Sequence, residues 1–193
     1  MAVPTRSPSP KNHDAMHAES TVLRKAKKHA GSELLEPGTH CVHPQHGVVE
    51  VAGVVERDVS GKKIPFYELR LVASDGKILL PVAAAEHAGL RPIMSEREAD
   101  DILAFMRTRR PGVDSRPFQK RMRIYGEMMR SGDRQAIAEV LRDMNRTAES
   151  KDLSFGERKL LTQARAMLVT EIALAKHTTV EAIENELDAA FVA

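Results

Sequence analysis

Residues 65–81, PFYELRLVASDGKILLP, contain the pattern that decides the fold of the first half of the chain. The short apolar runs on either side of Asp75-Gly76 predict strands over residues 65–72 and 77–81. Asp75-Gly76 suits a tight hairpin because glycine tolerates a positive φ without steric strain. Strands joined by so short a turn are antiparallel.

Two earlier runs, residues 40–42 and 47–55, have the same strand-like composition and flank the turn Pro44-Gln45-His46-Gly47. A second turn, Ser60-Gly61-Lys62-Lys63, separates them from the stretch at residue 65. Residues 33–94 are therefore predicted to form a small, strongly bent antiparallel sheet or partial barrel.

After Pro92 the apolar residues follow the i, i+3, i+4, i+7 spacing of helices that bury one face. Capping boxes predict helix starts at Ser95, Ser154 and Thr178, and a further helix is predicted to begin near Asp133. Residues 95–193 are thus predicted to form a compact bundle of about five helices. The predicted fold class is α+β, a small antiparallel β module followed by this helical bundle.

Composition limits the function further. The 193 residues are 42% hydrophobic and 29% charged, which is enough to bury a core, and no run is apolar enough to span a membrane. Residues 1–32 are rich in Pro, Ser and Thr and carry six basic residues, so we expect a disordered basic tail. The single cysteine and the missing secretion leader lead us to expect a cytoplasmic protein.

Basic residues cluster around the start of the second predicted helix. Residues 107–134 contain nine Lys or Arg against three acids, whereas residues 171–193 contain one Lys against five acids. Arginine forks suit phosphate, so the cluster is predicted to bind a nucleic-acid backbone without reading sequence. Phe118 lies inside this cluster and has two interpretations. It is a wedge between bases, or it is a core residue in the stripe Phe118, Met122, Tyr125 and Met129, which periodicity alone favours.

Catalysis is not expected. The sequence has no phosphate-binding glycine loop and no nucleophile elbow, and Cys41 has no evident catalytic partners. Cys41, His43 and His46 are the one candidate zinc constellation, but known zinc spacings usually need two ligand pairs. We therefore expect no cofactor and keep a zinc-dependent regulator as an alternative.

Several motifs occur together in the order found in one family. They are Pro37-Gly38, His43-Pro44-Gln45-His46-Gly47, Phe66-Tyr67-Glu68-Leu69-Arg70, Leu80-Pro81-Val82, Ser131-Gly132-Asp133, Ala138-Glu139-Val140-Leu141-Arg142-Asp143, Leu153-Ser154-Phe155-Gly156-Glu157-Arg158-Lys159, Ala164-Arg165 and Glu171-Ile172-Ala173-Leu174-Ala175. With them the chain resembles the CarD/CdnL family of bacterial RNA polymerase-binding transcription regulators from Leu35 to the carboxyl end.

The resemblance implies a Tudor-like β domain that binds the β subunit of RNA polymerase, followed by a helical domain that contacts promoter DNA at the upstream edge of the melted bubble and stabilises the open complex. The polymerase-binding residues it implies are Arg57, Phe66, Leu79, Leu80 and Pro81. The DNA-binding residues it implies are Arg116, Phe118, Lys120, Arg121, Arg123 and Arg158. We expect a monomer in solution.

Two positions depart from the family pattern. Phe118 stands where the family usually has a tryptophan wedge, so the smaller ring should hold the DNA fork more weakly. Leu79 stands where a relative can carry a basic residue, which puts a polar polymerase contact there in doubt. An adaptor that binds proteins with both halves, without a DNA wedge, is the second alternative.

Overall fold

The computed structural model describes residues 35–108 and 116–192. Within these ranges five strands precede five helices. The strands are β1 (His40–His43), β2 (Gly47–Val59), β3 (Lys62–Leu71), β4 (Lys77–Pro81) and β5 (Arg91–Pro92), with a short 3-10 helix at Val82–Ala84. The helices are α1 (Glu96–Arg107), α2 (Phe118–Ser131), α3 (Arg134–Ser150), α4 (Phe155–Ala175) and α5 (Val180–Val192). The predicted α+β class is confirmed.

The strands form one antiparallel sheet in the order β4-β3-β2-β1-β5. β2 and β3 are longer than predicted, because they continue to a two-residue turn at Ser60 and Gly61, whose φ angles are 54° and 79°. Positive φ at both turn residues matches the right-handed twist of the flanking strands. The sheet interior is formed mainly by Cys41, Val49, Val51, Tyr67, Leu69 and Val82.

The positive φ that the sequence predicts for Gly76 is wrong, because this glycine is not among the residues with a positive φ. Instead, a Cβ atom at this position would lie 2.6 Å from Cδ1 of Leu71. Glycine at the β3–β4 turn therefore leaves room for the Leu71 side chain, which would have to move if this residue had a Cβ atom.

The helix starts follow the predicted caps closely. The hydroxyls of Ser95 and Ser154 accept hydrogen bonds from the backbone N–H of Glu98 and Glu157, which completes both capping boxes. The Asp133 carboxylate caps α3 in the same way. At α5 the prediction is wrong by one residue, because the hydroxyl of Thr179, not Thr178, accepts from the N–H of Ala182. These caps satisfy backbone donors that have no partner inside a helix.

The sheet and the helices share an interface. Arg91 in β5 forms a bidentate ion pair with Glu171 in α4, with Nη1–Oε1 and Nη2–Oε2 distances of 2.5 and 2.8 Å. Around it, Gly47 at the start of β2 lies against Met167, and Gly132 after α2 lies against Pro44. The tail predicted over residues 1–32 lies outside the described residues.

The close contact between Gly132 and Pro44 can be tested by substitution. Gly132 has a φ of +68°, and a Cβ atom on it would lie 2.9 Å from Cα and Cβ of Pro44. Gly132→Ala therefore combines backbone strain with overpacking, and we expect it to lower the free energy of unfolding by about 3 kcal/mol in urea denaturation. Gly38→Ala is the control, because Gly38 has a φ of +85° and no atom within 4 Å of the added Cβ. It should cost only about 1 kcal/mol of strain. Equal losses in the two variants would contradict the close contact.

Candidate nucleic-acid interface

The first turns of α2 and α4 lie side by side on the surface. Nη2 of Arg121 in α2 is 2.9 Å from Oε1 of Glu157 in α4. A Cβ atom on Gly156 would lie 3.7 Å from the methyl carbon of Met122. Both helices therefore begin on the same part of the protein surface, next to each other.

Each of these helices begins with an exposed phenylalanine. Phe118 is 45% exposed and Phe155 is 78% exposed. The core position that periodicity favoured for Phe118 is therefore wrong: the buried stripe of α2 is Arg121, Tyr125 and Met129. Arg121 is buried in this stripe because Glu157 neutralises its charge. Phe118 lies on the same side of α2, but it is the first residue of the helix and remains half exposed.

Phe155 was missed as a candidate in the sequence. Its position around the helix axis could have identified it. Phe155 shares the outward side of α4 with the exposed residues Arg158, Lys159 and Thr162. The core side of α4 is formed by other residues, including Leu160, Ala164 and Leu168. An aromatic residue on the polar side of an amphipathic helix needs an explanation other than core packing.

Exposed cations lie near the starts of both helices. They are Arg116, Lys120, Arg123, Arg158 and Lys159. Nη1 of Arg158 donates a 2.7 Å hydrogen bond to the carbonyl of Leu153, which holds this side chain beside the start of α4. Arg123 pairs with Glu127 at a long 3.8 Å, and both side chains are mostly exposed. Five of the six residues predicted to contact DNA are thus exposed near these helix starts, with Lys120 and Arg123 on the side of α2 away from its buried stripe. The loop residues 109–115 of the basic cluster lie outside the described residues.

Arg121, the sixth predicted residue, is not on this surface. Its side chain is 8% exposed and pairs with Glu157, which does not fit a direct contact with DNA. The Arg121 guanidinium carbon lies 5.9 Å from the centre of the Phe118 ring. Arg121 therefore supports the ring of Phe118 from inside the protein, and it links α2 to α4.

Glu157 is the anion that organises these helix starts. Its carboxylate is fully buried and accepts from the backbone N–H of Ser154 at 2.9 Å, from Arg121 at 2.9 Å and from Lys151 at 3.3 Å. Burial alone would raise the pKa of Glu157, but the hydrogen bonds from Ser154 and the two cations outweigh it and lower the pKa to about 2.

A second candidate surface is the outer face of β2, β3 and β4. Phe66 pairs with Pro81 of β4 and with Val55 of β2, Glu68 pairs with Leu79, and Arg57 pairs with Ile64. Because side chains alternate along a strand, Phe66, Leu79, Pro81 and Arg57 share this face. Leu79 is 43% exposed. The structure thus brings together four of the five residues predicted to bind polymerase.

Leu80 is the exception on the sheet. It pairs with Tyr67, which is buried, and it packs against the sheet core. Its side chain lies on the opposite face from Leu79 and Pro81 because it has the opposite strand parity, and its contact with polymerase stays a prediction.

The zinc constellation does not assemble in the described part of the chain. The rings of His43 and His46 lie 4.7 Å apart, and Nδ1 of His43 accepts from the backbone N–H of Gln45. Cys41 is buried in the sheet core instead. Among the residues that the structure describes, no three His, Cys, Asp or Glu side chains form a group able to hold a metal ion.

Two family models match the chain. Residues 35–94 match the CarD-like/TRCF RID domain, and residues 101–188 match the C-terminal domain of CarD. The chain belongs to the CarD family of transcription regulators. It is also 27% identical over 157 residues to YdeB of Bacillus subtilis (strain 168), a protein named as a candidate transcription factor. This match covers 79% of the chain and 99% of YdeB. No helix within the described ranges is long and apolar enough to cross a membrane.

The low pKa of Glu157 predicts a pH dependence of stability. Its folded pKa of about 2 lies below the ordinary 4.5, so this group stabilises the fold fully above about pH 4.5 and loses its contribution as the pH falls towards 2. Glu157→Gln should lower the free energy of unfolding by about 3 kcal/mol at pH 7 and by much less near pH 2, measured by urea denaturation at each pH.

Glu98→Gln is the matched control for this experiment. Glu98 occupies the same capping-box position in α1, and hydrogen bonds from Ser95 also lower its pKa to about 2, but it lies at the surface. Solvent screens its ion pair with Arg134, so the loss in this variant should be clearly smaller. A loss in Glu157→Gln that does not change with pH would contradict the role given to its charge.

Proposed function

We propose that this protein regulates transcription initiation by binding RNA polymerase and promoter DNA at the same time. The outer face of β2, β3 and β4 binds the β subunit of the polymerase. The paired starts of α2 and α4 contact DNA at the upstream edge of the melted bubble and stabilise the open complex. The observation that carries the proposal is the pair of exposed aromatic rings, Phe118 and Phe155, at adjacent helix starts that also carry exposed cations.

The chemistry of the helical surface fits a nucleic acid at a fork. Arg and Lys side chains bind phosphates of any sequence, and their binding weakens as salt is added. An exposed aromatic ring stacks on any unpaired base or enters a base step. A plain protein-binding patch would not need so many cations around two phenylalanines, so this combination favours DNA over a second protein.

The chemistry of the sheet surface fits a protein. Phe66, Leu79 and Pro81 form an apolar strip, and β4 is the edge strand of the described sheet. An edge strand can extend a partner's sheet through backbone hydrogen bonds, and neighbouring side chains then give specificity. The charged Arg57 at the rim adds a polar contact beside the apolar strip.

The mechanism needs no chemical step. Binding to polymerase brings the helical surface to every promoter that the enzyme visits, at a high effective concentration. Weak contacts that do not read sequence are then sufficient. Because Phe118 and the cations bind a melted junction better than a closed duplex, the equilibrium shifts towards the open complex by this difference in affinity.

Phe118 gives the most direct functional prediction. Phe118→Ala removes a stacking contact worth about 1–3 kcal/mol, so the open complex held by the protein should dissociate about tenfold faster. The measurement is the lifetime of a preformed open complex after addition of competitor DNA. Phe118→Trp should lengthen the lifetime, because the larger ring covers more of a base.

Phe118→Leu is the control that separates stacking from bulk. Leucine keeps an apolar side chain but lacks an aromatic face. The open complex formed with this variant should therefore have a lifetime close to that measured with Phe118→Ala. Because Phe118 is about half exposed, all three variants should keep the thermal stability of the parent protein. Lifetimes equal to the parent in every variant would contradict a wedge at this position and favour the adaptor alternative.

Leu79 tests the polymerase surface. Leu79→Asp places a charge at the end of the apolar strip, beside the ion pair of Glu68 and Lys77. Burying this charge against a partner should weaken binding to the isolated β-subunit fragment at least about tenfold. Val180→Asp is the control, since Val180 is equally exposed, at 46%, but lies at the start of α5. Titration calorimetry with the full chain measures both affinities. Equal affinity of Leu79→Asp and the parent protein would exclude this face as the docking surface.

A further inference from the structure

The sheet packs against the helices through Val42 and Val48, which are buried on the face opposite the sheet core. Close to the ion pair of Arg91 and Glu171, the small residues Gly47 and Gly132 lie against Met167 and Pro44. A cleft of about 140 Å³ remains beside Gly47 and Met167. Apolar contacts of this kind are not directional, so they define the orientation of the two halves less sharply than hydrogen bonds do.

The ion pair supplies the missing direction. Nε of Arg91 donates to the carbonyl of Gly132 at 3.0 Å, while both Nη atoms bind Glu171. The backbone N–H of Met94 donates to the same carboxylate at 3.0 Å. The guanidinium of Arg91, a residue of β5, thus contacts both the residue that follows α2 and a carboxylate in α4. A planar fork on a buried carboxylate tolerates little rotation about the interface.

We propose that Arg91 and Glu171 are positioning residues that fix the angle between the polymerase-binding face and the DNA-binding face. This inference rests on the proposed function. Neither residue lies on either proposed binding face. A buried ion pair often adds little net stability, and in some proteins it selects one arrangement, which is the role given to this pair.

The fixed angle matters because both faces must be engaged at once. With one orientation, DNA contact after polymerase binding is an intramolecular event at high effective concentration. If the two halves rotate freely, the DNA-binding face samples many wrong positions. Each face can still bind its own partner. The effective concentration of the DNA-binding face at the promoter, however, falls in proportion to the fraction of time that this face spends in the right orientation.

Glu171→Gln is the variant that isolates this effect. Glutamine keeps the shape and one acceptor for the N–H of Met94, and it removes the charge that holds the fork of Arg91. We expect its affinities for the isolated β-subunit fragment and for forked DNA, measured separately with the full chain, to stay within about twofold of the parent. The open-complex lifetime should fall about tenfold. Arg91→Lys, which keeps the charge and loses the fork, should fall in between.

A disulfide between the sheet and α4 can test whether the orientation is restored in the Glu171→Gln variant. A Cβ atom at position 47 would lie 3.8 Å from Cβ of Met167, which is within the spacing of a disulfide. Gly47 has a φ of +72°, so the added cysteine carries backbone strain, and the same cysteine pair in the parent protein is the control for that strain. In Glu171→Gln, the added pair Gly47→Cys and Met167→Cys should restore the lifetime when oxidised and lose it again in reductant. Cys41 is only 3% exposed and does not compete for this pairing. Thermal melting of the same samples separates the two roles. If Arg91 and Glu171 only held the fold together, the lifetime of the open complex would follow the melting temperature in every sample. If they fix the orientation, the oxidised cross-link restores the lifetime in samples whose melting temperature is already like that of the parent.

Residual dipolar couplings of the free protein measure the angle without any partner. The parent should show one orientation of the sheet relative to the helices, and Glu171→Gln should show averaging that the oxidised cross-link removes. An unchanged set of couplings in Glu171→Gln would overturn the inference, even if the parent protein stabilises open complexes. A parent protein that leaves the lifetime unchanged would overturn the proposed function instead, and the couplings would still decide the inference.

Discussion

The carboxylate of Glu171 in α4 receives hydrogen bonds from the fork of Arg91 and from the backbone N–H of Met94, and so it ties the strand half of the molecule to the helical half. Desolvating one carboxylate is costly unless several donors surround it. Here the donors come from a segment that leads directly out of the sheet into α1. These directional contacts add to the apolar packing of Val42 and Val48, which by itself is not directional.

A second buried carboxylate repeats this arrangement within the helices. Glu157 closes the capping box of α4 and holds Arg121 of α2, and so two helix starts lie next to each other. Phe118 lies on the same side of α2 as Arg121, and it is exposed because it is the first residue of the helix. Phe155 begins α4 in the same way. The buried ion pair thus lies behind the two exposed rings.

Local signals were sufficient to predict much of this structure. Alternation, turn residues and capping boxes act over a few residues, so the sheet and the helix starts could be predicted closely. The differences concern exposure and orientation, which local patterns do not fix. Periodicity favours the core for Phe118 because this residue shares the side of α2 that holds Tyr125 and Met129, and it cannot show that the first turn of the helix stays exposed. The resemblance implies Leu80 as a polymerase contact together with Leu79, although strand parity turns the two side chains to opposite faces.

The most direct test of the account places a photo-crosslinking phenylalanine analogue at position 118 of the full chain, in an open complex formed with RNA polymerase. The account predicts an ultraviolet-induced cross-link to promoter DNA at the upstream edge of the bubble, which disappears when the promoter is kept closed. A cross-link that forms only to protein, or equally to closed and open promoter, would contradict the claim that this surface holds opened DNA.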